Sequence, residues 1–186
     1  MKIAGVILLS VLLAGCATLS REQCQQGDWY GIGMDDGEAG ERTSRLEQHA
    51  RACAEYGAPV DSRQYLAGHT QGLREYCRLD NAFATGLEGR RYQHVCPPEI
   101  DAVFDHYNRS AYEIYLIKRE LDTVENQITD TERRLRAKDL SDDSRRQLRY
   151  DLRELDRRYD RLRNDLYAGE RYLDDLTDEA RSRRTP

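Results

Sequence analysis

The second half of the chain places apolar residues at alternating steps of three and four positions. In the first arm these residues are Ile100, Val103, Tyr107, Ile114, Ile117, Leu121, Val124, Ile128 and Leu135, and the polar Ser110 and Thr131 fill the two gaps in the series. After a polar stretch at 138–143, the series resumes with Leu148, Leu152, Leu155, Tyr159, Leu162, Leu166, Gly169, Leu173, Leu176 and Ala180. A heptad pattern sustained over two arms predicts two long helices with coiled-coil packing.

The two arms, 99–138 and 142–181, are equal in length, about 60 Å each if fully helical. Pro98 suits the first turn of the first helix, and Ser141 can cap the second. Because the joint is short and polar, the pattern favours an antiparallel hairpin within one chain. Two parallel dimeric coiled coils are the alternative. Since two helices bury only a narrow seam, self-association through the hairpin also stays open.

The composition changes at Pro97-Pro98, because nearly all glycines precede this point and only Gly169 follows it. A weak internal repeat precedes it, in which Tyr30-x-x-Gly33-x-x-x-Gly37 matches Tyr65-x-x-Gly68-x-x-x-Gly72. Glycines at this spacing share one helix face, where a backbone or an aromatic ring can approach closely. The stretch from Arg45 to Tyr56 also looks helical and ends at Gly57.

We therefore expect a mainly α protein with four parts after its signal segment. They are a tether at 16–21, a small disulfide-stapled helical head at 22–97, a long antiparallel coiled-coil hairpin at 98–182, and a disordered C-terminus at 183–186.

The N-terminus has the pattern of a bacterial lipoprotein signal. An apolar run, Ile3 to Leu13, follows Lys2 and ends in Leu13-Ala14-Gly15-Cys16. The run is too short to span a bilayer as a helix. The pattern predicts a cleaved signal at 1–15 and acylation of Cys16, whereas an ordinary secretory signal or a short anchor helix are the alternatives. Ala17 replaces the aspartate that retains such proteins in the inner membrane. We therefore expect an outer-membrane anchor with a body in the periplasm or at the surface.

Besides Cys16, the chain has four cysteines, an even number that in an oxidising compartment indicates two disulfides. Local pairing, Cys24–Cys53 and Cys77–Cys96, closes two modest loops and is favoured. The alternative is a long Cys24–Cys96 bridge enclosing Cys53–Cys77.

The charge pattern excludes several classes of partner. The net charge is −5, with 34% of residues charged and both signs interspersed, so nothing indicates binding to nucleic acid or to membranes through a polybasic segment. His49 and Cys53 are four residues apart, but no second ligand pair accompanies them, so we expect no metal. We then expect Cys53 in a disulfide and His49 at the surface. Nucleophile and nucleotide motifs are missing as well, so we expect no cofactor and no enzyme.

Five head residues are the candidates for a ligand site. They are Trp29, Tyr30, Asp36, His49 and Tyr65. Aromatic residues beside glycine stripes could form a groove for sugar or peptide. More often such rings form the core of a small domain, and this second interpretation is favoured.

The head resembles a known family, and the resemblance covers about residues 22–110. Its motifs are Asp28-Trp29-Tyr30-x-x-Gly33-x-x-Asp36-Gly37-x-x-Gly40, His49-x-x-x-Cys53, Tyr65-x-x-Gly68-x-x-x-Gly72-Leu73-x-x-Tyr76-Cys77 and Gly86-x-x-Gly89-x-x-Tyr92-x-x-Val95-Cys96-Pro97. This set is similar to the DUF2799 family of proteobacterial lipoproteins. The family is named for its unknown function, so the resemblance implies no catalytic residues.

Three functions are hypotheses at this point. The first is a structural or protein-binding lipoprotein of the envelope, anchored by its lipid and meeting an envelope protein through the hairpin. The second is a module for cell-wall glycan or peptide, and the third is an envelope hydrolase with an unrecognised site.

Overall fold

The computed structural model describes residues 18–182, and this part of the chain is mainly α-helical, as the sequence predicts. Over those residues it contains seven helices and no β-strand. The helices are α1 (Arg21–Gln26), α2 (Trp29–Glu38), α3 (Arg45–Ala54), α4 (Ser62–Tyr76), α5 (Leu79–Leu87), α6 (Pro98–Leu135) and α7 (Asp142–Ser182). The expected signal segment, Cys16 and the C-terminal residues 183–186 lie outside the described residues.

The helices are divided between two compact units. Within the described residues, the first unit contains 18–37 and 41–72, and the second contains 38–40 and 73–182. The expected head, 22–97, is thus shared by both units, and the composition change at Pro97-Pro98 does not mark their division. The physical reason is that α5 packs against α6, so residues 73–97 share a core with the long helices.

Both disulfides join cysteines that are close in sequence. Cys24 is bonded to Cys53 in the first unit, and Cys77 to Cys96 in the second, with sequence separations of 29 and 19. This is the local pairing that the sequence favoured. Loops of this size correspond to about 3 kcal/mol of stabilisation per bridge in the chain-entropy account. Such a contribution is large for units with small cores.

In the first unit, α2 and α4 approach each other closely at two glycines. A β-carbon at Gly33 would overlap the backbone carbonyl of Tyr65, and one at Gly68 would overlap that of Tyr30. The contacts are reciprocal because the two halves of the internal repeat pack against each other. The sequence predicted that these glycine faces admit a backbone or a ring, and at this crossing they admit backbone.

An aromatic core holds the second unit together. Its buried members are Tyr76, Cys77, Ala82, Phe83, Tyr92, Cys96, Phe104, Tyr107, Ala111, Leu176 and Ala180. They come from the end of α4, from α5, from the segment before α6, from the N-terminal part of α6 and from the C-terminal part of α7. The ring centroids of Phe83 and Tyr107 lie 4.7 Å apart, and those of Tyr92 and Phe104 lie 4.6 Å apart.

Asn108 of α6 is a buried polar residue that the sequence did not single out. Its amide Nδ2 donates to the Thr85 hydroxyl at 3.0 Å and to the Arg90 carbonyl at 3.0 Å. Its Oδ1 accepts the backbone N–H of Tyr92 at 2.8 Å. One side chain therefore satisfies groups on α5 and on the following segment that would otherwise be buried without partners.

The connection between α6 and α7 is short, and hydrogen bonds cap the helix end on each side of it. The Ser141 hydroxyl accepts the backbone N–H of Ser144, as expected for a cap of α7. The Arg145 guanidinium donates to the Leu135 carbonyl at 3.0 Å, at the last turn of α6. α6 ends at Leu135, three residues before the expected end of the first arm.

Several side chains connect α6 with α7 along their length. Lys118 lies 2.9 Å from Glu170, and Glu120 lies 2.7 Å from Arg158. Gly169, which occupies a position of the apolar series on α7, faces the Ile114 side chain closely enough that a β-carbon would overlap it. The apolar positions predicted from the heptad pattern thus include residues at the contact between the helices.

We predict that Gly33→Ala and Gly68→Ala each destabilise the first unit by about 2 kcal/mol or more, because a β-carbon would force two helix backbones apart. This cost exceeds the gain of about 1 kcal/mol in helix propensity. Trp29, the chain's one tryptophan, is buried in this unit, so its fluorescence in a urea titration reports the change.

Gly169→Ala of the second unit is the control for adding a methyl group to a helix, because there the β-carbon meets only the end of a flexible isoleucine side chain. Its urea midpoint, followed by the helical circular dichroism signal, should change little. Wild-type midpoints for Gly33→Ala and Gly68→Ala would contradict the close crossing.

Candidate functional site

The five candidate ligand residues lie in the first unit, and most of them are buried. Trp29 is 3% exposed and its Nε1 donates to the Pro59 carbonyl at 3.1 Å. Tyr65 is 0% exposed and His49 is 2% exposed. His49 is therefore not the surface residue that the sequence suggested, although Cys53 is in a disulfide as expected. Tyr30 is the exception, with its ring exposed to solvent.

The Asp36 carboxylate brings three of these residues together. The Tyr65 hydroxyl donates to its Oδ2 at 2.6 Å. The His49 Nε2 lies 2.8 Å from the same oxygen. α2 supplies the carboxylate, α3 the imidazole and α4 the phenol, so this network ties three helices to one another.

Thr18 completes the network from a position that sequence reasoning missed. Its hydroxyl lies 2.9 Å from His49 Nδ1, so both ring nitrogens of His49 have partners. Leu19, the next residue, is 6% exposed in the core with Trp29. Part of the segment expected as a tether at 16–21 is therefore packed into the unit. The one sequence signal for this packing is an apolar residue, Leu19, within the segment expected as a tether.

α1 begins immediately after this segment and has a capping box. The Ser20 hydroxyl accepts the backbone N–H of Gln23, and the Gln23 side chain accepts the N–H of Ser20 at 2.9 Å. Gly27 ends the helix with a left-handed conformation, φ +66°. The capping box fixes the start of α1 directly after Thr18 and Leu19, which contact α3 through His49 and Cys53.

The electrostatics of the network favour an ionised Asp36. Burial raises the pKa of this carboxyl, but hydrogen bonds from His49 and Tyr65 lower it more, so that the pKa lies below its usual value. Burial, together with the hydrogen bond to Asp36, raises the pKa of the Tyr65 hydroxyl above its ordinary range. At neutral pH the network therefore contains a carboxylate and a neutral phenol.

A second histidine also lies against Tyr65. His69 is 3% exposed, and its ring centroid lies 5.9 Å from that of Tyr65. Its Nε2 is 2.7 Å from the Glu41 carbonyl oxygen. The position of His69 in the unit was not predicted from sequence. Tyr65 thus contacts two histidine rings, and because it is fully buried its ring has no open face for a ligand.

The second unit repeats the same combination of side chains. The Tyr92 hydroxyl donates to Asp101 at 2.6 Å, and His94 Nδ1 lies 3.2 Å from the same carboxylate. The Tyr92 hydroxyl also accepts the backbone N–H of Cys96 at 2.7 Å, beside the second disulfide. The hydrogen bond from Tyr92 lowers the pKa of Asp101. Here the histidine is exposed, and its φ is +55°.

The chemistry available to the first network is limited by its closure. Thr18, His49 and Asp36 follow one another in the order of a nucleophile, a base and an acid. However, Asp36 also accepts the Tyr65 hydroxyl, and the imidazole is almost completely buried. Over residues 18–182, no group of three or more His, Cys, Asp or Glu side chains is arranged to hold a metal ion. The arrangement favours a structural role, in which the network fastens the N-terminal segment to the helices.

We predict that Asp36→Asn lowers the stability of the first unit at pH 7 by about 2 kcal/mol, because a hydrogen-bonded charge is replaced. A carboxyl whose folded pKa lies below its unfolded value of about 3.9 stabilises above that value, and the effect is lost as pH falls through the folded pKa. The difference between wild type and variant should therefore be full above about pH 5 and should shrink as the pH falls through about 3.9 and below, as followed by Trp29 fluorescence in urea.

Asp35→Asn is the control, since Asp35 is the exposed neighbour of Asp36 on the same helix. Its stability should follow that of the wild type at every pH. A constant difference between Asp36→Asn and wild type across this pH range would show that the carboxylate charge does not stabilise the unit.

Comparison with known proteins places the site in a family region. Residues 28–113 match the family described as "Protein of unknown function (DUF2799)". The uncharacterized protein YfiL of Escherichia coli (strain K12) is 27% identical over 92 residues, which are 48% of this chain and 71% of that relative. No solved structure matches significantly. The matched region contains the Asp36 network but not Thr18, and it ends within α6. Residues 28–113, somewhat less than half of the chain, are therefore similar to the DUF2799 family.

Proposed function

We propose that this chain is an outer-membrane lipoprotein that faces the periplasm and has a structural or protein-interaction role in the cell envelope. The observation that carries the proposal is a difference in exposure between the first unit and α7. In the first unit the candidate ligand residues Trp29, His49 and Tyr65 are interior. On α7, by comparison, three tyrosines are exposed, namely Tyr150, Tyr167 and Tyr172. Exposed tyrosine and arginine are typical of surfaces that bind proteins.

The lipid anchor is supported by the sequence Leu13-Ala14-Gly15-Cys16 and by the packing of the residues next to it. Cys16 precedes by two residues Thr18, which is bonded to His49 of the first unit. An acylated Cys16 would therefore hold the first unit close to the bilayer surface, because only Ala17 separates it from Thr18 in the sequence. None of the helices between residues 18 and 182 has the length and apolar character needed to cross a membrane.

The export of the chain is supported by its cysteines. All four cysteines among the described residues are paired in disulfides. Such bridges persist in the periplasm and are rare in the cytosol. Two bridges in two small units indicate that the fold is assembled after export.

The interaction arm is the pair formed by α6 and α7, which we propose is an antiparallel coiled-coil hairpin. Contacts between the helices join 106 with 172, 118 with 170, and 120 with 158, so the numbers rise on one helix where they fall on the other. A connection of only six residues, 136–141, suits this arrangement. Two helices of this length present a long surface of charged residues and tyrosines to a partner.

A role without catalysis is part of the proposal. The one arrangement with the order of a catalytic relay among the described residues, Thr18–His49–Asp36, is explained by its contribution to packing. The glycan- or peptide-binding alternative would have to use Tyr30, because the other aromatic candidates are enclosed.

The anchor can be tested through the lipid site. Cys16→Ser should abolish labelling by a fatty-acid analogue and release the chain from the membrane fraction, because no acyl chain remains to hold it. Ala17→Ser, which leaves the cysteine intact, is the control and should keep the label. Ala17→Asp should keep the label but move the chain from the outer to the inner membrane on a sucrose gradient.

If Cys16→Ser still sediments with membranes, and if neither it nor the wild type takes up label, the lipoprotein proposal fails. Label in the wild type together with an unchanged position of Ala17→Asp would contradict only the outer-membrane assignment.

The interaction arm can be tested by placing a photo-crosslinking amino acid at Tyr150 of α7 and, as control, at Tyr30 of the first unit. Both side chains are exposed. The proposal expects a defined protein adduct from α7 in intact cells and none from Tyr30. Retention of the chain on purified peptidoglycan, lost on Tyr30→Ala, would instead favour the glycan-binding alternative.

A further inference from the structure

The outer face of α7 has a stripe of exposed residues that its packing with α6 does not use. The stripe consists of Arg149, Arg153, Asp156, Asp160, Arg163, Tyr167, Arg171, Asp174 and Asp178, all of which are exposed. Steps of three and four residues place them on one face of the helix. They extend over about 44 Å at 1.5 Å per residue. We call this set the α7 stripe.

The charges along the α7 stripe are arranged so that two antiparallel copies of the stripe place opposite charges next to each other. Read from its N-terminal end, the stripe has two arginines, two aspartates, an arginine, a tyrosine, an arginine and two aspartates. When the stripe is turned around, Arg149 lies opposite Asp178, Arg153 opposite Asp174, and Asp156 opposite Arg171. A parallel copy would instead place every residue opposite itself, and so every charge opposite a like charge. The stripe therefore distinguishes one orientation of a second copy from the other.

The centre of the α7 stripe has a shape that fits the same arrangement. A shallow groove of about 480 Å³ is lined by Asp160, Arg163, Asn164 and Tyr167. Tyr167 is 66% exposed, more than the other large apolar side chains among the described residues. In the reversed copy, Tyr167 lies opposite Asp160. The phenol can donate to that carboxylate while its ring fills the groove.

We propose that two copies of this chain associate through the α7 stripe, with their α7 helices antiparallel about a two-fold axis between residues 163 and 164. This makes a second copy of the chain the partner of the interaction arm. The inference rests on the proposed function in one respect, which is the strength of the contact. A stripe about 10 Å wide buries less than the usual ~1,600 Å² of a stable interface. Lipid anchoring concentrates the copies on one surface and offsets this shortfall.

Intrachain contacts leave the α7 stripe available. Arg171 lies over the Tyr167 ring at 5.9 Å, and Asp178 is paired with Arg181 at 2.9 Å. Both residues of that ion pair are more than 70% exposed. Exposed pairs of this kind exchange partners at little cost, because they contribute little stability where they are.

The two-fold axis can be tested with cysteines in the full chain, expressed in intact cells. In Asn164→Cys the two new thiols lie next to the axis, within the Cα distance of about 7 Å that a disulfide allows. In Asp178→Cys, which is also exposed on α7, the two thiols are about 44 Å apart. The proposal expects a disulfide-linked dimer of Asn164→Cys on a non-reducing gel and only monomer for Asp178→Cys. Arg149→Cys and Asp178→Cys, expressed together, should form a mixed dimer.

Each other outcome counts against the proposal. Monomer from Asn164→Cys at wild-type abundance would show that the axis is wrong. A dimer of Asp178→Cys with itself would indicate parallel copies. An adduct of Asn164→Cys with a different protein would show that the α7 stripe binds another partner.

Charge reversal provides the second test, read by the dimer fraction of Asn164→Cys. Arg153→Asp and Asp174→Arg each create two like-charge pairs in the dimer, so each should lower that fraction about tenfold or more. The two changes together in one chain restore opposite charges and should restore the dimer. Equal loss in the single and double variants would refute the pairing.

The two proposals can fail independently. If the chain takes up no fatty-acid label but the double charge reversal restores the dimer fraction of Asn164→Cys, the dimer is supported and the lipid anchor is refuted. A labelled chain without the Asn164→Cys dimer would refute only the dimer.

Discussion

The first unit depends on the close contact between two helix backbones at Gly33 and Gly68. Asp36 follows Gly33 by three residues on α2, and Tyr65 precedes Gly68 by three residues on α4. The crossing therefore brings the Asp36 carboxylate to the Tyr65 hydroxyl, and His49 and Thr18 bond to this pair in turn. Larger residues at the two glycines would push α2 and α4 apart, and so would move the Tyr65 hydroxyl away from the Asp36 carboxylate. The buried polar network is thus a consequence of two missing side chains.

The features predictable from sequence were those with a repeated local signal. The heptad series gave the two long helices, and cysteines close in sequence gave the disulfides. The burial of His49 had no such signal, because a histidine is buried only when its partners are present, and Thr18 is 31 residues away. Asn108 was missed for the same reason. Its partners come from α5 and from the segment after it, and no local pattern announces a pairing across 16 residues or more.

The division between the units was also beyond the sequence. Composition changes at Pro97-Pro98, since the cysteines and nearly all glycines precede it and charged heptads come after it. Compactness depends instead on which residues share a core. Phe83 stacks on Tyr107 of α6, and Tyr92 packs on Phe104, so the residues before the prolines are bound to the helix after them. The beginning of α6 and the end of α7 therefore lie in an aromatic core shared with α5, and the prolines do not mark a linker.

Symmetry connects the proposed lipid anchor with the proposed dimer. Two identical copies anchored in one bilayer are equivalent only if their two-fold axis is parallel to the bilayer normal. The axis proposed for the α7 stripe is perpendicular to both α7 helices. Both helices must then lie parallel to the bilayer surface. An arm that extended away from the membrane could pair in this way only with a copy anchored in a facing membrane. The proposed dimer therefore implies that both α7 helices lie along the membrane surface.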